Sequence, residues 1–502
     1  MVTLVTLLSL VINVTVLTGQ SMGSNARRPN IIFLFADDQR ADTIGAHGNP
    51  TIQTPNLDRL ADQGYSFRMN YCAGSFSGAV CVASRAMLMT GRHWMRLPSS
   101  NQHSGWKDLP LLPSLLASEG NYRSFIVGKW HNGKATLQQA FSSGRSVYMG
   151  GMANHADFQV QDLVKGRLTD KREANGFSSV VYADAAIDFI RGADTQQPFF
   201  LYVAFTAPHD PRNPPVPYRE YYYANRPPLP KNYLPQHPFK NAPQTVQGRD
   251  ESLAPWPRTK AVISDQLCEY YGLVTHFDEQ VGRVLQTLKN SPHADNTIVI
   301  YTADHGLAMG SHGLLGKQNI YEQSMRSPLI MRGPGIPKAK SSHAFTYIHD
   351  LYATICDFAG VALPAGVDAR TLVPIIQGRE KAVRQSLFLP FQNNQRAVND
   401  GRWKLHMYPL INHRLLFDLK NDPHEMRNLA EDPAHSQELE RMLALMEHWR
   451  TQLGDKNPLR IDNPGSKRAE YNNRKRSPDR WQPQWIKEKY FGEAKEPRGS
   501  MP

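Results

Sequence analysis

The sequence predicts an α/β protein in which a mostly parallel central sheet is flanked by helices and a smaller C-terminal α+β subdomain follows. Four apolar runs rich in β-branched and aromatic residues each end directly in polar residues, as buried parallel strands do. Helical stretches such as residues 181–191 and 267–288 alternate with these runs, an order typical of parallel sheets covered on both faces. The 502 residues, 40% of them hydrophobic, suffice for a deep core and more than one domain.

Charged residues and histidines stand at the carboxyl end of each predicted strand. The strands and the residues that follow them are 30–35 with Asp37 and Asp38, 123–127 with Lys129 and His131, 199–205 with His209, and 297–301 with Asp304 and His305. Because the carboxyl ends of parallel strands meet at one edge of a sheet, we expect these side chains to converge there. Lys317 follows on a loop and is expected to join them.

A cysteine precedes an apolar stretch between the first two predicted strands. Residues 81–85 read Cys-Val-Ala-Ser-Arg, and residues 83–89 are compatible with a helix. Cys81 is therefore expected at or just before a helix N-terminus, where backbone N–H groups favour an anion, whether sulfate, phosphate or phosphonate. An isolated cysteine is more often a small buried residue, and an isolated Asp-Asp pair more often a turn or a helix cap. The four strand ends with their polar residues and Lys317 make five such signals in one chain. Together they outweigh the interpretations that each would have in isolation.

The C-terminal region has a different pattern. Short runs at residues 396–399, 403–407 and 415–419 precede a helical stretch at 436–453, which predicts a small antiparallel sheet packed by a helix. The predicted divisions are a catalytic domain over 27–385, a C-terminal subdomain over 386–460 and a basic aromatic tail over 461–502. Residues 211–257 show no sustained periodicity and are predicted to form an extended loop near the site, either a lid or a structural excursion.

In this order, the motifs resemble those of the sulfatase family, specifically the formylglycine-dependent type I sulfatases of the alkaline phosphatase superfamily. Cys81, Ala83 and Arg85 match the signature Cys-x-Pro/Ala-x-Arg, with alanine where proline is commoner. The resemblance runs from about Pro29 to Pro433 and includes residues 417–423 and 428–430, which are similar to the C-terminal sulfatase signature. It implies an alkaline-phosphatase-like fold and a sulfuric ester hydrolase.

The resemblance also implies that a formylglycine-generating maturation enzyme oxidises Cys81 to an aldehyde, which hydrates to a geminal diol. A serine that attacks sulfur would be left as a stable sulfate ester. A diol sulfated on one oxygen can instead expel sulfate when its other oxygen reforms the aldehyde, so turnover needs only a base. Because Ala83 replaces the commoner proline, maturation is expected to need a host enzyme that accepts alanine there.

The family's remaining site residues carry over position by position. In the metal site, the resemblance implies one divalent ion held by Asp37, Asp38, Asp304, His305 and the modified residue at Cys81. Carboxylate oxygens favour calcium or magnesium, while His305, in place of the Asn of many relatives, leaves manganese or another transition metal open. Calcium ranks first on the resemblance.

The resemblance assigns roles to the remaining predicted residues. Arg85 and Lys129 would hold the diol, and Lys129 and Lys317 would clamp the sulfate oxygens. His131 resembles the base, and His209 resembles the group that protonates the departing alcohol.

The charge of the chain favours an acidic partner. Its formal net charge is +12, which attracts sulfated polysaccharides as well as nucleic acids, but no nucleic-acid-binding motif is present, so no nucleic-acid partner is predicted. The tail beyond residue 464 either grips a polyanion or wraps the catalytic domain. Its basic and aromatic residues are Lys467, Arg468, Arg474, Lys475, Arg476, Arg480, Trp481 and Trp485.

An apolar run at residues 2–18 predicts a signal peptide over residues 1–21, and therefore export to the periplasm or the medium. Translation from Met22 would instead leave the protein in the cytoplasm. No other segment has the length to span a bilayer, so no stable membrane span is predicted. With Cys81 modified, three cysteines remain, and this odd number argues against a disulfide framework, although one bridge stays open.

The leading hypothesis is a sulfatase that removes sulfate from a sulfated carbohydrate through formylglycine and a divalent metal. One alternative is a phosphonate monoester or phosphodiester hydrolase of the same superfamily, in which an Asp-His pair like that of Asp304 and His305 also occurs. The other is an exported glycan-binding protein in which Cys81 is never matured.

Overall fold

The computed structural model describes residues 27–98, 106, 108–240, 248–468 and 483–491. The strands are β1 Asn30–Ala36, β2 Tyr65–Tyr71, β3 Arg123–Lys129, β4 Ser143–Tyr148, β5 Gln159–Val164, β6 Arg167–Leu168, β7 Arg172–Glu173, β8 Phe199–Ala204, β9 Thr297–Ala303, β10 Arg326–Ser327, β11 Leu329–Arg332, β12 Lys340–Tyr347, β13 Leu387–Phe391, β14 Gln395–Asn399, β15 Trp403–Tyr408 and β16 His413–Asp418. The α-helices are α1 Pro55–Asp62, α2 Val80–Thr90, α3 Leu112–Gly120, α4 Lys134–Ala140, α5 Ser178–Arg191, α6 Val216–Ala224, α7 Lys260–Lys289, α8 Glu322–Met325, α9 Asp350–Ala359, α10 Val373–Ile376, α11 Ser436–Leu453 and α12 Gln484–Tyr490.

The four strands predicted from the sequence form the centre of the large sheet. In the described part of the chain this sheet has twelve strands, ten of them in the order β10-β2-β11-β9-β1-β8-β3-β4-β5-β6, with β12 on β2 and β7 on β5. The neighbours β9, β1, β8 and β3 are parallel, and Phe33 of β1 lies between Ile300 and Tyr202. Antiparallel pairs lie toward the edges. The prediction of a mostly parallel central sheet is confirmed.

Helices cover both faces of this sheet because its central strands are apolar on both sides. Along β1, Phe33 and Phe35 pack into one cluster with residues of α2, α3 and α9. Ile32 and Leu34 pack into a second cluster with residues of α5 and α7. This alternation follows the two-residue period of a strand. All seven residues of β1 and of β9 are buried, so the strands read as continuous apolar runs.

A second, antiparallel sheet follows near the C-terminus, as predicted, with β13 to β16 in sequence order. Alternate residues of β15 point to its two faces. Leu405 packs with Met442 of α11, whereas Lys404 and His406 point away from that helix, toward Glu322 and Tyr321. The predicted helix and sheet are both present, while the predicted domain divisions after residues 385 and 460 stay predictions.

The prediction of an extended loop over residues 211–257 is wrong in part. This segment contains α6 and a 3-10 helix at Arg249–Leu253, while residues 241–247 lie outside the described residues. Helix α6 packs on α7, with the ring of Tyr222 buried 5.7 Å from that of Tyr271. Tertiary packing of tyrosines, rather than an apolar period, stabilises this helix. The strands at the sheet edges were also missed because they are short or partly exposed.

The predicted signal peptide and much of the basic tail lie outside the described residues, including Arg474, Lys475, Arg476, Arg480 and Trp481. Of the described tail residues, 462–468 are exposed, whereas α12 packs on the protein. Ile486 of α12 is buried, and Lys489 Nζ lies 2.7 Å from Asp265 of α7. This contact agrees with the wrapping-arm interpretation. Within the described ranges, the structure has no helix with the length and apolar character to cross a bilayer.

Candidate active site

The ten predicted site residues converge at the carboxyl edge of the four central strands. Asp37 and Asp38 directly follow β1, and Asp304 and His305 directly follow β9. The register pairs the last residues of these strands, so Asp37 and Asp304 leave the sheet side by side. The backbone N–H of Asp38 donates to Asp304 Oδ1 at 3.0 Å. Lys129 is the last residue of β3, two strands from β1, which places its side chain at the same edge.

Helix α2 brings Cys81 to this edge. The helix begins at Val80, so Cys81 is its second residue, one position further into the helix than the sequence predicts. All eleven residues of α2 are buried. Ser84 Oγ donates to Asp304 O at 2.7 Å, and Arg85 Nη1 donates to Lys129 O at 3.1 Å. These bonds fix the first turn of α2, whose N–H groups favour an anion, against the ends of β9 and β3.

The side chain of Cys81 lies at the base of a pocket of about 400 Å³ that His131, His209 and Lys317 also line. Its Sγ is 3.2 Å from His131 Nδ1. Burial works against ionisation of the thiol, but the charges of Lys129 and Lys317 and the contact with His131 outweigh it. The pKa of Cys81 is therefore well below the usual value.

The pKa of Cys81 differs from those of the other three cysteines, which gives a labelling prediction for unmodified, metal-free protein. All four cysteines lie in the described residues and are free, and burial raises the pKa of Cys72, Cys268 and Cys356 to about 12. A lowered pKa keeps the thiolate present at neutral pH. Iodoacetamide at about pH 7 is therefore expected to label Cys81 before the other three, as peptide mass spectrometry would show. Equal labelling that begins only in alkaline buffer would contradict this assignment.

Three buried cations neutralise the three buried carboxylates of the site. Lys129 contacts Asp37, and Lys317 Nζ lies 2.7 Å from Asp38 Oδ1. Arg85 Nη2 lies 3.4 Å from Asp304 Oδ2, and the Arg85 guanidinium lies 4.7 Å from the centre of the Phe35 ring. The apolar ring covers the guanidinium and excludes water from it.

The pKa values of two of these carboxyls differ because their surroundings differ. Burial raises the pKa of Asp38 to about 7, although Lys317 partly opposes this. Burial also acts on Asp304, but the charges of His305 and Arg85 outweigh it and hold its pKa at about 2. Asp304 is therefore more firmly ionised than Asp38.

The residues present fit a divalent cation. Ligand atoms of Asp37, Cys81, Asp304 and His305 lie within 4.8 Å of one another, and Asp38 joins Asp37 and His209 in a second such group. Among the described residues, the buried atoms Asp37 Oδ1 and His305 Nε2 have no hydrogen-bond partner. His305 Nδ1 lies 2.9 Å from Gly306 O and donates to it. In the cation-free protein, burial is outweighed by Asp304 and Asp38, which raise the pKa of His305 to about 9, so a bound metal would take the place of the proton on Nε2. Mostly oxygen donors suit a hard cation such as calcium.

His209 lines the same pocket as His131. Its Nδ1 donates to the backbone oxygen of Asp210 at 2.8 Å, which fixes the ring. The other nitrogen, Nε2, lies 3.8 Å from Asp38 Oδ2. Burial lowers the pKa of His209 well below its usual value, so a proton placed on this ring is easily given up.

Other residues of the pocket were not predicted. Arg249 contacts Asp210 and lies 2.8 Å from Asp250 Oδ1, while Gln318 donates to Asp250 Oδ2 at 2.9 Å. Arg249 and Asp250 belong to the segment without periodicity, so the sequence carries no signal for them. Gly151 also lies here, and a Cβ at this position would be 2.6 Å from His131 Nε2. Glycine at 151 thus leaves room for the imidazole.

A comparison with protein families identifies this combination of residues. The sequence profile of the sulfatase family matches residues 29–361, which contain all ten predicted site residues. The chain belongs to the sulfatase family. A second profile, for the C-terminal region of N-sulphoglucosamine sulphohydrolase, matches residues 310–452 and covers the small antiparallel sheet.

Curated relatives of this sulfatase carry sulfuric ester hydrolase names. The N-acetylglucosamine-6-O-sulfatase of Bacteroides thetaiotaomicron is 26% identical, over 86% of this chain and 88% of the relative. The N-acetylgalactosamine-6-sulfatase of Canis lupus familiaris is 30% identical, over 86% of this chain and 81% of the relative. The protein is a sulfuric ester hydrolase, as predicted.

Solved structures share its fold. A protein in complex with its substrate D-glucosamine-2-N,6-O-disulfate superposes with a TM-score of 0.72 at 24% identity, covering 86% of this chain and 99% of that one. The phosphonate monoester hydrolase of Agrobacterium radiobacter gives a TM-score of 0.66 at 23% identity, covering 88% of this chain and 100% of that one. At these identities the likeness shows the fold, and the alkaline-phosphatase-like prediction is confirmed.

Proposed function

We propose that this sulfatase removes sulfate from a sulfated carbohydrate, using formylglycine formed from Cys81 and one divalent cation, with calcium ranked first. The observation that carries the proposal is the position of Cys81. Its side chain lies at the base of a pocket, in the first turn of a helix, beside His131 and Lys317. A buried cysteine with no catalytic task does not require two lysines and a histidine around its sulfur.

Formylglycine, once formed, supplies a diol that attacks sulfur and later releases sulfate by reforming the aldehyde. His131 Nδ1 lies 3.2 Å from the sulfur of residue 81 and is placed to take the proton that turnover requires. Arg85 reaches the same edge of the sheet and adds fixed positive charge there. The resulting field favours an ionised oxygen on residue 81.

Asp37, Asp38, Asp304 and His305 would hold the cation, with residue 81 adding an oxygen. When bound, a divalent cation lowers the pKa of an oxygen nucleophile and offsets the repulsion among the carboxylates. Lys129 and Lys317, which pair with Asp37 and Asp38 in the cation-free protein, would then direct positive charge at the sulfate oxygens. Their burial strengthens that interaction, because water does not screen it.

His209 is the proposed proton donor to the departing alcohol. Its Nδ1 is held by the backbone of Asp210, so Nε2 is the nitrogen available for proton transfer. The low pKa that burial imposes makes a protonated His209 a strong acid. His209 and His131 both line the pocket, so the donor to the departing alcohol and the base that takes the diol proton in the later step share one cavity.

The substrate class is inferred from chemistry and relatives together. Two relatives are named for 6-sulfates of N-acetylated amino sugars, and a structural neighbour holds a glucosamine disulfate. We infer that a 6-O-sulfated amino sugar is the substrate class for this chain. A net charge of +12 would draw a sulfated polysaccharide to the protein.

To test this function, hydrolysis by the matured protein would be measured with matched aryl sulfate and aryl phosphonate esters. The same protein would then be assayed with 6-O-sulfated N-acetylglucosamine and N-acetylgalactosamine. We expect the sulfate ester to be hydrolysed with the higher kcat/KM, and sulfate to be released from at least one of the two sugars. A strong preference for the phosphonate would contradict the proposal and support the hydrolase alternative. Glycan binding without hydrolysis at any stage would support the binding-protein alternative.

Two features outside the pocket belong to the same proposal. Maturation requires a formylglycine-generating enzyme that accepts Ala83 in the signature. The apolar residues 2–18 support export to the periplasm or the medium, where sulfated polysaccharides are met.

A further inference from the structure

The short segment that joins Lys317 to helix α8 is held by the C-terminal subdomain. Gln395 Nε2 of β14 donates to the backbone oxygen of Gln318 at 3.0 Å. Four residues further on, the backbone N–H of Glu322 donates to Glu425 Oε2 at 2.7 Å. Gln318 is the neighbour of Lys317 in the chain. The subdomain therefore holds residues 318–322 by a hydrogen bond at each end.

A buried ionic network surrounds the hydrogen bond between Glu322 and Glu425. Lys404 Nζ of β15 lies 2.8 Å from Glu322 Oε1 and 2.9 Å from Glu425 Oε1. His406 Nε2 lies 3.1 Å from the same Glu425 oxygen, and the Tyr71 hydroxyl donates to Glu322 Oε2 at 2.7 Å. The ammonium of Lys404 is completely buried. The catalytic domain supplies Tyr71 and Glu322, and the subdomain supplies the others, so the network crosses between them.

Such a network is costly to bury and contributes little to stability compared with apolar packing of the same volume. It instead favours one arrangement of the groups that it joins, because an unpaired charge in this interior is strongly disfavoured. Here the joined elements are β15 and the start of α8.

The second and third residues of α8, Gln323 and Ser324, are fixed independently by the catalytic domain. The backbone N–H of Gly306 donates to Ser324 O, and that of Leu307 to Gln323 O, both at 2.9 Å. These backbone bonds do not depend on Lys404. On the other side of Lys317, the catalytic domain holds Gly316: its N–H donates to Glu251 Oε1 at 2.8 Å and its oxygen accepts from Ala308 N at 3.1 Å. Loss of the network would therefore loosen residues 318–322, which directly follow Lys317. The ammonium of Lys317 must lie within hydrogen-bond distance of a sulfate oxygen to act on it, so a small shift is sufficient to lower the rate.

We propose that Lys404 and Glu425 are positioning residues that place Lys317 for catalysis, which makes the C-terminal subdomain part of the catalytic apparatus. The proposal rests on the proposed role of Lys317 in binding sulfate. Neither Lys404 nor Glu425 lines the pocket. Both act through the backbone of residues 317–322.

A double-mutant cycle of Lys404→Met and Lys317→Ala tests this on matured, metal-loaded protein. Lys317→Ala alone is expected to lower kcat/KM by about 100-fold or more, as for loss of one group that stabilises charge in the transition state. Lys404→Met alone is expected to lower kcat/KM roughly 10- to 100-fold. In the Lys317→Ala background, Lys404→Met should change kcat/KM by about twofold or less, because the group that it positions is gone.

Leu405→Ala is the matched control. Leu405 is the next residue of β15, but its side chain packs on the opposite face, with α11. This variant is expected to lower the melting temperature of the protein without changing kcat/KM at temperatures where it is folded. Gln395→Ala is a milder second variant, should Lys404→Met fail to fold. It removes the bond to Gln318 O and should repeat the non-additive result.

The outcomes separate the two claims. Lys404→Met could lower kcat/KM by the same factor in the wild-type protein and in the Lys317→Ala variant. That result would overturn the positioning role and leave the network with a structural role alone. The same holds if Leu405→Ala lowers kcat/KM as much as Lys404→Met does. If Lys317→Ala alone leaves kcat/KM unchanged, the proposed role of Lys317 fails, and the positioning role fails with it.

Discussion

Replacing Cys81 with alanine is expected to abolish sulfate ester hydrolysis, with kcat/KM falling by about 10⁴-fold or more. The variant keeps Lys129, Lys317 and the two pocket histidines, so it should still bind the substrate. What it loses is the group from which the proposed diol would form. Steady-state hydrolysis of an aryl sulfate measures the loss, and calorimetry measures substrate binding.

The fold should tolerate this change. Alanine has the highest helix propensity, and Cys81 is the second residue of a helix that is buried throughout. We expect the free energy of unfolding to change by about 1 kcal/mol. Cys356→Ala is the matched control, because Cys356 is also buried, in α9, and is expected to retain full activity.

Cys81→Ser separates the diol mechanism from ordinary nucleophilic attack. In a host that does not convert the serine, a serine that attacked sulfur would be left as a stable sulfate ester. Any reaction should then stop after one equivalent of alcohol, and the protein should gain the mass of one sulfo group. Sustained turnover by unconverted Cys81→Ser, or by Cys81→Ala, would show that residue 81 is not the nucleophile.

Removal of the divalent cation is expected to lower kcat by about 10³-fold or more, because the nucleophile would then ionise without help. Stability should fall as well. A cation that binds only the folded protein stabilises it by about 2.7 kcal/mol at a concentration 100 times its Kd. Chelation should therefore lower the melting temperature, and re-addition of calcium should restore both activity and melting temperature.

The Asp304→Asn variant provides the control for metal removal. Despite burial, the charges of His305 and Arg85 hold Asp304 ionised, with a pKa of about 2. Its amide replacement should weaken cation binding, so the melting temperature of the variant should respond little to chelator. Restoration by manganese but not by calcium would change the assigned metal and point to the nitrogen ligand of His305. Full activity after exhaustive chelation would contradict the metal site.

The parts of the site that could be predicted are those tied to buried parallel strands. Asp37, Lys129 and Asp304 follow apolar runs, and the sheet then requires their side chains to meet at one edge. The helix of Cys81 was predicted one residue late, because Val80 is compatible with either a loop or a first turn. The fold class followed from the same alternation of strands and helices.

Features that depend on tertiary packing were not predictable. Arg249 and Asp250 come from a segment whose helices are stabilised by packing on α7, so no local period marks them. The pairing of Lys404 with Glu322 joins residues 82 positions apart, one on a strand of the small sheet and the other on a short helix. Lys404 and His406 stand in a mostly apolar strand whose sequence carries no sign of their partners. Such contacts become visible only once the two domains are docked.

The mass of the tryptic peptide that spans residues 69–85 tests the central claim most directly. The protein should be expressed once with a sulfatase-maturing enzyme that accepts Ala83 and once without it. We predict that the first preparation carries an aldehyde, or its hydrate, in place of the Cys81 thiol, and that only this preparation hydrolyses sulfate esters. An unmodified thiol in every competent host, or equal activity in both preparations, would contradict the account.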